Sequence, residues 1–518
     1  MNFSSLFSVK SKNRSMKFDH IKLYSLCILV GAVTGLITVP YRYLLVKMAA
    51  LRDILFAPHH FWILHIIIIA GMWCVAMGIH FLVKKYPVIS GSGIPQTEGA
   101  IYGRFAFKHA FKTLLAKFAG GVAGIGMGLS MGREGPSVQM GAFVAKLIGK
   151  WGKAGVAEQR YLLTGGASAG LSSAFTAPLA SSIFVIEEME KFDSVKIAIT
   201  SLLAAIISGW MASIVFTTNP YALINTSYPT ELGTAGMFIA FVAFSLILTA
   251  IGKSFNYLLL EFQKRYSESP IPAWLKLLGI MVITYILGYY MSGLVAGGET
   301  YLLEEGLADK AIFTLAIVII IKLVFTTLCY STGFPGGIFL PLLVIGGLTG
   351  KLFALILIKL GYISPEHFGF FMIIGMSALF ATVVRSPITG LVLILEMTAK
   401  FEALFPMIVV VGFTYFISEM FRVKPVYDML YQRLLPADIK TDESRLTIPF
   451  EISEGAYMEG KCKNEIELPA GCKIVSIVRN QTCLRDNVPL IPGDRIEINL
   501  YSHDLEKLFR VFRSMANE

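Results

Sequence analysis

The stretch Gly132–Gly141, "GREGPSVQMG", places an arginine and a glutamate side by side between two apolar segments. An ionised carboxylate is costly near the middle of a bilayer, so such a residue is a functional candidate by default. Its meaning depends on whether Glu134 lies at membrane depth, and the surrounding chain decides that question.

The rest of the chain is strongly apolar. Hydrophobic residues make up 55% of the 518 positions and charged residues only 15%, whereas a soluble globular protein carries about 25% charged residues. Apolar runs long enough to span a bilayer, about 20 residues, recur at 61–83, 236–260, 277–297 and 311–330. The sequence therefore predicts an all-α polytopic membrane protein.

The N-terminal segment is polar and carries five basic residues: Lys10, Lys12, Arg14, Lys17 and Lys22. The first apolar run is long enough to be a membrane helix, so no cleavable signal peptide is expected. The positive-inside rule then predicts a cytoplasmic N-terminus. The net charge of +10 is interpreted as a topology signal and not as nucleic-acid binding.

The character of the chain changes near residue 436, so we predict a membrane domain over 1–436 and a small α/β domain over 437–518. In the second part, "LTIPFEI" (446–452), "KIVSIVR" (473–479) and "DRIEINLY" (494–501) have strand patterns. The segment 502–515 has helical spacing. The cysteines show no metal or disulfide spacing.

The membrane part contains an internal repeat. Residues 132–141 and 337–346 share the pattern G-x-x-x-P-x-x-x-x-G, and 177–190 aligns with 386–399. Two matches in the same order at similar spacing indicate a duplication, with halves at about 20–225 and 230–435. The pattern alone leaves open whether the halves are parallel or inverted.

Gly- and Pro-rich segments interrupt the apolar pattern at 91–99, 132–141 and 333–343. The second and third each read as a loop that opens into a helix N-terminus, whereas Pro95 marks at most a short helix. Helix N-termini that converge at membrane depth would form an anion site from backbone N–H groups. The alternative is that these segments are ordinary helix breaks and packing points.

These residues resemble the CLC family of chloride channels and transporters. The resemblance rests on four motifs in order, "GSGIPQTEGA", "GREGPSVQMGA", "GGIFLPLLVIGG" and "KPVYDML", and runs from about residue 20 to 435. It implies two inverted repeats of re-entrant and tilted helices. It also implies a homodimer with one pore per subunit, and a transporter rather than an enzyme.

The resemblance implies a central anion site. Ser92, with Gly93 beside it, would give its hydroxyl to the anion, and Tyr427 would give its phenol. The backbone N–H groups of Ile338 and Phe339 would complete that site.

A neighbouring anion site is implied at the N–H groups around Arg133, Glu134 and Gly135. Glu134 would be the gating glutamate. Its ionised carboxylate would occupy an anion position, and on protonation it would swing out and let chloride through.

Each assignment has an alternative in which the residue serves the fold alone. Ser92 could cap a helix, Tyr427 could belong to an interfacial aromatic belt, and Phe339 could be plain packing. The role of Arg133 stays open: it either shapes the electrostatic field or pairs with a carboxylate such as Glu98.

A second carboxylate bears on the choice between a channel and an exchanger. In exchangers of the family, the second glutamate of an "EEM"-like run relays protons, and here that residue is Glu188. Glu187 has a repeat partner in Glu396 and is therefore expected to be structural. The alternative is that residues 187–190 are the solvated end of a helix. The carboxylate at Glu188 favours H⁺/Cl⁻ exchange over a passive channel, with Glu134 serving both ions.

A fluoride/proton antiporter is the other alternative within the family. Such members typically lack the serine of the first motif and the final tyrosine, and carry threonine at the position of Pro136. The presence of Ser92, Pro136 and Tyr427 favours chloride.

The tail from about Ile452 resembles the RCK C-terminal (TrkA-C) domain, through "EGAYMEGKCKNEIELP", "CKIVSIVR" and "IPGDRIEI". This resemblance implies a bacterial protein, and we expect it in the plasma membrane with both termini cytoplasmic. No cofactor is expected, although a nucleotide such as cyclic di-AMP could bind the tail. A cap without any ligand is the alternative.

Overall fold

The computed structural model describes residues 3–57, 61–105, 107–191, 195–217, 220–303, 312–434, 446–452, 455–469, 472–479, 482–484, 488–500, 511–512 and 514–515. The chain divides into two compact units, Met1–Tyr431 and Gln432–Glu518. This division falls close to the boundary that the change in sequence character predicts.

The regular secondary structure of the first unit is α-helical, apart from short 3-10 and π-helical turns, in the residues described. Its helices are α1 (Phe3–Leu55), α2 (Trp62–Lys85), α3 (Ile94–Ile101), α4 (Ala110–Gly126), α5 (Glu134–Trp151), α6 (Val156–Phe175), α7 (Pro178–Phe184), α8 (Val195–Val215), α9 (Gly233–Glu268), α10 (Ala273–Tyr290), α11 (Glu299–Leu303), α12 (Ile312–Ser331), α13 (Phe339–Lys359), α14 (Phe368–Val384), α15 (Pro387–Thr398), α16 (Leu404–Met420) and α17 (Val426–Leu434). A π-helical turn, Val185–Met189, continues α7.

Among the described residues, nine helices are long and apolar enough to cross a bilayer. The four apolar runs predicted to span fall largely within α2, α9, α10 and α12. Large apolar side chains lie on the outside of the unit, and Trp62, Trp210 and Phe313 are more than 60% exposed. Such a surface suits lipid and not water, so the first unit is a multi-pass membrane protein.

The centre of the unit shows the duplication in its packing. In one half, Gly141 on α5 faces Gly166 on α6, and a Cβ on either residue would clash with the backbone carbonyl of the other. In the other half, Gly346 on α13 faces Gly375 on α14 in the same manner. Small residues allow helix backbones to approach closely in membrane bundles. Each half therefore has one tightly packed helix pair at equivalent positions.

The second unit contains a four-stranded antiparallel sheet in the order β1-β4-β2-β3. Its strands are β1 (Leu446–Glu451), β2 (Lys473–Arg479), β3 (Thr482–Cys483) and β4 (Arg495–Leu500). Three of them fall where the alternating patterns predict strands; the two-residue β3 has no such pattern. Of the helix predicted over 502–515, residues 511–512 and 514–515 are described, and they are helical. The unit has an apolar core of its own, with Phe450, Ile474 and Ile498 buried.

Candidate anion site

The segments that precede two helices are hydrogen-bonded to each other through their backbones at the centre of the first unit. Gly132 and Gly337 exchange a pair of backbone hydrogen bonds, each 2.7 Å long. α5 begins two residues after Gly132, at Glu134, and α13 begins two residues after Gly337, at Phe339. Neither helix has a side-chain cap. The positive ends of both helix dipoles therefore meet at one place, as the repeated Gly-Pro motif predicts.

The first Gly-rich segment, 91–99, joins the same place through its backbone. Gly91 donates to the carbonyl oxygen of Gly333 and accepts from Gly336, both at 3.1 Å. Gly93 has a φ of +92°, a conformation that favours glycine, and it precedes the eight-residue helix α3. All three predicted segments are thus brought together, and Pro95 does mark a short helix.

The approach of these loops requires residues without side chains. A Cβ on Gly337 would lie 3.1 Å from the backbone nitrogen of Gly135. A Cβ on Gly135 would in turn lie 3.0 Å from the Cα of Ser92 and would clash with its hydroxyl. Glycine at these positions lets the backbone N–H groups and the Ser92 hydroxyl share one small space.

The polar side chains at this point are buried and lack partners. Ser92, Glu134 and Tyr427 are each at most 1% exposed. Among the described residues, the two hydroxyl oxygens and both oxygens of the Glu134 carboxylate have no hydrogen-bond partner. Tyr427 reaches the start of α13 through the ring of Phe184, which contacts both Tyr427 and Phe339. Since buried polar atoms are nearly always paired, two such hydroxyl donors next to helix N-termini suit an anion as their ligand.

The Glu134 carboxylate reaches the second of the two helices. A Cβ added to Gly132 would meet both that carboxylate and, at 3.2 Å, the backbone nitrogen of Leu340. The negative group of α5 therefore lies over the N-terminus of α13, where an anion is stabilised by the helix dipole.

Aromatic rings enclose the site. The ring of Phe339 lies 5.2 Å from that of Phe175, 5.8 Å from Phe184 and 4.4 Å from Phe380. Phe184 also contacts Tyr427 edge-on, with 6.4 Å between ring centroids. Tyr427 is fully buried, which excludes an interfacial belt. The residue at the N-cap of α3 is Gly93, so Ser92 does not cap that helix.

Two cavities approach the site. One, which we name the Arg133 cavity, has a volume of about 720 Å³, and its walls include Arg42, Arg133, Phe175, Thr176, Ser213, Phe216, Tyr221, Glu299 and Met397. The other, the Glu188 cavity, has a volume of about 520 Å³, and its walls include Glu187, Glu188, Lys191, Arg385, Pro387, Glu419 and Lys424.

The two cavities lie at opposite ends of the same helices. α8 follows Lys191 in the Glu188 cavity and ends beside Phe216 in the Arg133 cavity. Its 21 residues measure about 30 Å at 1.5 Å per residue. α7 and its π-helical turn run the other way, from Thr176 to Glu188. The cavities therefore open toward opposite faces of the unit.

The structure pairs Arg133 with a residue that the sequence analysis did not consider. Its Nη1 lies 3.5 Å from Oε1 of Glu299, and its Nε donates to the carbonyl oxygen of Ala174. Arg133 thus pairs with a carboxylate, one of the alternatives left open, but the partner is Glu299, while Glu98 is buried on α3. Glu299 lies outside the sequence motifs, so the spacing of those motifs could not identify it as the partner of Arg133.

Glu187 and its repeat partner Glu396 have matching structural roles. Glu187 accepts hydrogen bonds from the backbone N–H groups of Ile388 (3.1 Å) and Thr389 (2.7 Å), at the start of α15. Glu396 accepts from the two N–H groups at the start of α7, at 3.0 and 2.7 Å. Each carboxylate thus caps the helix that carries the other, which is the structural role expected for Glu187.

Glu188, the carboxylate next to Glu187, is only partly hydrogen-bonded among the described residues. It is 2% exposed and lies on the π-helical turn, a feature frequent at functional sites. One oxygen accepts from the Ser386 hydroxyl at 2.8 Å and lies 3.8 Å from Nζ of Lys191. The other oxygen has no partner among the described residues. Glu188 is therefore buried beside the Glu188 cavity and is not the solvated end of a helix.

Two buried lysines, which the sequence did not single out as site residues, hold the backbone carbonyls of two loops. Nζ of Lys117 donates to the carbonyl oxygens of Ile89 (2.9 Å) and Gly91 (2.7 Å). Nζ of Lys322 donates to those of Leu294 (2.7 Å) and Ala296 (2.9 Å). The lysine and the two carbonyl residues of the second group follow those of the first group at one constant interval along the chain. A lysine recurring at that interval inside apolar helices was the available signal.

Comparison with known proteins gives a consistent result. A sequence profile described as "Voltage gated chloride channel" matches residues 75–419. The H(+)/Cl(-) exchange transporter ClcA of Salmonella typhi is 34% identical over 429 residues, covering 78% of this chain and 87% of the relative. ClcA of Klebsiella pneumoniae (strain 342) is 32% identical over 422 residues, with the same shares of each chain.

Solved structures have the same fold. A slow cyanobacterial Cl-/H+ antiporter superposes with a TM-score of 0.72 at 27% identity, covering 80% of this chain and 97% of that one. A CLC-type fluoride/proton antiporter superposes with a TM-score of 0.63 at 21% identity, covering 79% and 98%. The second similarity concerns the fold alone.

Proposed function

We infer that this chain, a member of the voltage-gated chloride channel (CLC) family, exchanges chloride for protons across a membrane. The two ClcA relatives named above are H⁺/Cl⁻ exchange transporters, and their matches cover 78% of this chain. The observation that carries the inference is the group of buried, unpartnered polar atoms of Ser92, Tyr427 and Glu134 where two helix N-termini meet.

Chloride would bind in two adjacent positions. In the first, the hydroxyls of Ser92 and Tyr427 and the backbone N–H groups of Ile338 and Phe339 would surround it. In the second, it would take the place of the Glu134 carboxylate at the N-termini of α5 and α13. Dipolar donors hold an anion without a full positive charge in contact, which suits an ion that must also leave.

Proton coupling would follow from competition for the second position. The ionised Glu134 carboxylate and chloride are both anions that the same backbone donors stabilise. When chloride displaces the carboxylate, Glu134 moves and can take up a proton. Glu188 would then pass protons between Glu134 and the Glu188 cavity.

The alternatives within the family receive less support. A passive channel would not need a second buried carboxylate, and here Glu188 is buried and incompletely bonded. A fluoride antiporter would not need the hydroxyls of Ser92 and Tyr427, which are buried here without a hydrogen-bond partner among the described residues.

The orientation and assembly complete the proposal. We propose that the N-terminus and the second unit are cytoplasmic, in the plasma membrane of a bacterium. Arg42 lies about 30 Å along α1 from Ile21, so the Arg133 cavity would then open to the opposite side. The chain would act as a homodimer with one pathway per subunit, and the second unit would be a regulatory RCK-type domain.

The first prediction tests coupling. Purified protein in liposomes with a chloride gradient should drive uphill proton movement, measured with a pH electrode. Glu134→Gln removes the proton-accepting carboxylate at constant shape, so it should abolish proton movement and leave chloride flux.

The matched control is Glu366→Gln, on an exposed residue outside both cavities, which should keep both fluxes. Chloride flux without any proton movement in the wild type would contradict the exchanger. Proton pumping by the Glu134→Gln protein would contradict the role of Glu134.

A further inference from the structure

The Arg133 cavity contains charged groups that the exchange cycle above does not use. Arg42, Tyr221 and Glu299 line it together with Arg133. These four are the charged and titratable groups on its walls among the described residues. Glu134 is the residue that follows Arg133 in the sequence.

The Arg133–Glu299 pair is loose. Its two atoms are 3.5 Å apart, and the side chains are 14% and 35% exposed. The Tyr221 hydroxyl donates to the other Glu299 oxygen, also at 3.5 Å. Charge-assisted hydrogen bonds are normally 2.7–2.9 Å long. The Glu299 carboxylate is therefore held weakly enough for another anion to compete with it.

Arg42 supplies a second positive charge. Its Nη1 donates to Oγ1 of Thr176 at 2.8 Å and to the carbonyl oxygen of Ser173 at 3.2 Å, and its guanidinium lies 3.9 Å from the centroid of the Phe216 ring. Among the residues that the structure describes, no carboxylate lies within ion-pair distance of it. Two guanidinium groups and one carboxylate leave the cavity positive, and a positive cleft with low-dielectric walls concentrates anions.

The loop that carries Glu299 is the repeat counterpart of the loop that carries Ser92. Lys322 holds its carbonyl oxygens as Lys117 holds those of the first loop. At the position of Glu299 the first loop has Ile94, which is fully buried. The second copy of the loop thus places a carboxylate in the Arg133 cavity, where the first copy has an apolar side chain.

We propose that the Arg133 cavity is a chloride-binding site on the route to Glu134, and that Glu299 sets its affinity as a tethered competing anion. The proposal rests on the proposed function. Ionised Glu299 neutralises Arg133 and leaves Arg42 to attract the incoming ion. Loss of its charge frees both arginines for chloride.

The test measures the chloride dependence of exchange in liposomes with the whole protein. Glu299→Gln keeps the shape and removes the charge, so the KM for chloride should fall by about three- to tenfold, given the screened Coulomb energy near a surface. Turnover at saturating chloride and the chloride-to-proton ratio should change less than KM. Raising ionic strength with an impermeant salt should raise KM more steeply in the variant than in the wild type.

Opposite and compensating variants separate charge from structure. Arg42→Gln should raise the KM, and the Arg42→Gln, Glu299→Gln double variant should return toward the wild-type value. Glu299→Ala, which removes the carboxylate in a different way, should shift KM in the same direction as Glu299→Gln. Glu366→Gln should leave both KM and its salt dependence unchanged.

The outcomes are distinguishable. Absence of proton coupling in the wild type would overturn the proposed function itself. Normal wild-type coupling with an unchanged KM in both Glu299 variants, at low and high ionic strength, would overturn only the role of Glu299. A higher KM in both Glu299 variants would also overturn it, because the pair would then be supporting the anion site and not competing with chloride.

Discussion

The individual residues at the site share one property: their buried polar atoms have no hydrogen-bond partner among the described residues. Ser92, Tyr427 and Glu134 are buried with polar atoms that no described residue satisfies, a state that costs about 1–3 kcal/mol for each neutral group. Such unpaired polar groups are expected where a bound ligand supplies the missing hydrogen-bond partner. The chemistry of the site therefore follows from a small number of side-chain oxygens.

A second prediction concerns the phenol. Tyr427→Phe removes one hydroxyl and keeps the ring that packs against Phe184. A hydrogen bond to a charged group contributes about 1.5–3 kcal/mol, so chloride binding measured by isothermal titration calorimetry should weaken at least tenfold. Tyr257→Phe, on an exposed residue of α9 that lines neither cavity, is the control and should bind chloride as the wild type does. An unchanged affinity in Tyr427→Phe would remove the phenol from the site.

A third prediction separates the two adjacent glutamates. Glu188→Gln should keep chloride movement and lose proton movement, because an amide cannot relay a proton. Glu187→Gln should keep both and lower thermal stability, because one carboxylate oxygen that accepts from the start of α15 becomes an amide donor. Paired flux and thermal-unfolding measurements check both. If proton loss instead occurred in the Glu187 variant, the assignment of roles would be reversed.

At the scale of elements, the site depends on helices that begin at its centre. The Gly132–Gly337 backbone pair sets the N-termini of α5 and α13. The facing glycines of α5 with α6, and of α13 with α14, bring the helix bodies together behind them. Close packing of these elements keeps the N–H groups in position without a side chain to cap them.

A fourth prediction follows from that packing. Gly141→Ala and Gly346→Ala should destabilise the folded protein by about 1–3 kcal/mol, because each Cβ would clash with a carbonyl of the facing helix. Gly279→Ala and Gly412→Ala are matched controls within α10 and α16, where an added Cβ meets nothing within 4 Å. Alanine there should stabilise the helix by up to about 1 kcal/mol. Thermal unfolding in detergent would test this, and equal effects in both pairs would contradict it.

On the scale of the whole molecule, duplication creates a pathway with two ends. α7 runs from the Arg133 cavity to the Glu188 cavity, and its repeat counterpart α15 runs from Pro387 in the second to Met397 in the first. The halves are therefore inverted. An inverted pair presents one copy of each loop toward either face, which explains why Ser92 and Glu299 occupy equivalent loops with different surroundings.

A fifth prediction concerns the second unit. It has a core and sheet of its own, and every side chain assigned to transport lies within residues 42–427. Removal of residues 437–518 should therefore leave the chloride-to-proton ratio unchanged in liposomes. In the full chain, Asp494→Asn should weaken the two 2.7 Å bonds from Arg479 and make the second unit more sensitive to protease. Loss of coupling in the shortened protein would show that the second unit takes part in exchange.

The amino-acid sequence predicts the class of protein, the duplication and the convergence of helix N-termini. Apolar run length and the recurrence of glycine and proline are local properties, so they can be recognised from the sequence alone. Three of the four tail strands described were predicted for the same reason, since alternation within each of them reports its buried face.

Which side chains come into contact, in contrast, is visible only in the folded chain. Arg133 pairs with Glu299, far from it in sequence, and two lysines reach loop carbonyls through apolar surroundings. Inversion of the halves and the position of the cavities were likewise beyond the sequence pattern. The physical reason is that ion pairs, close backbone approaches and cavities depend on distances between segments that the chain brings together only when it folds.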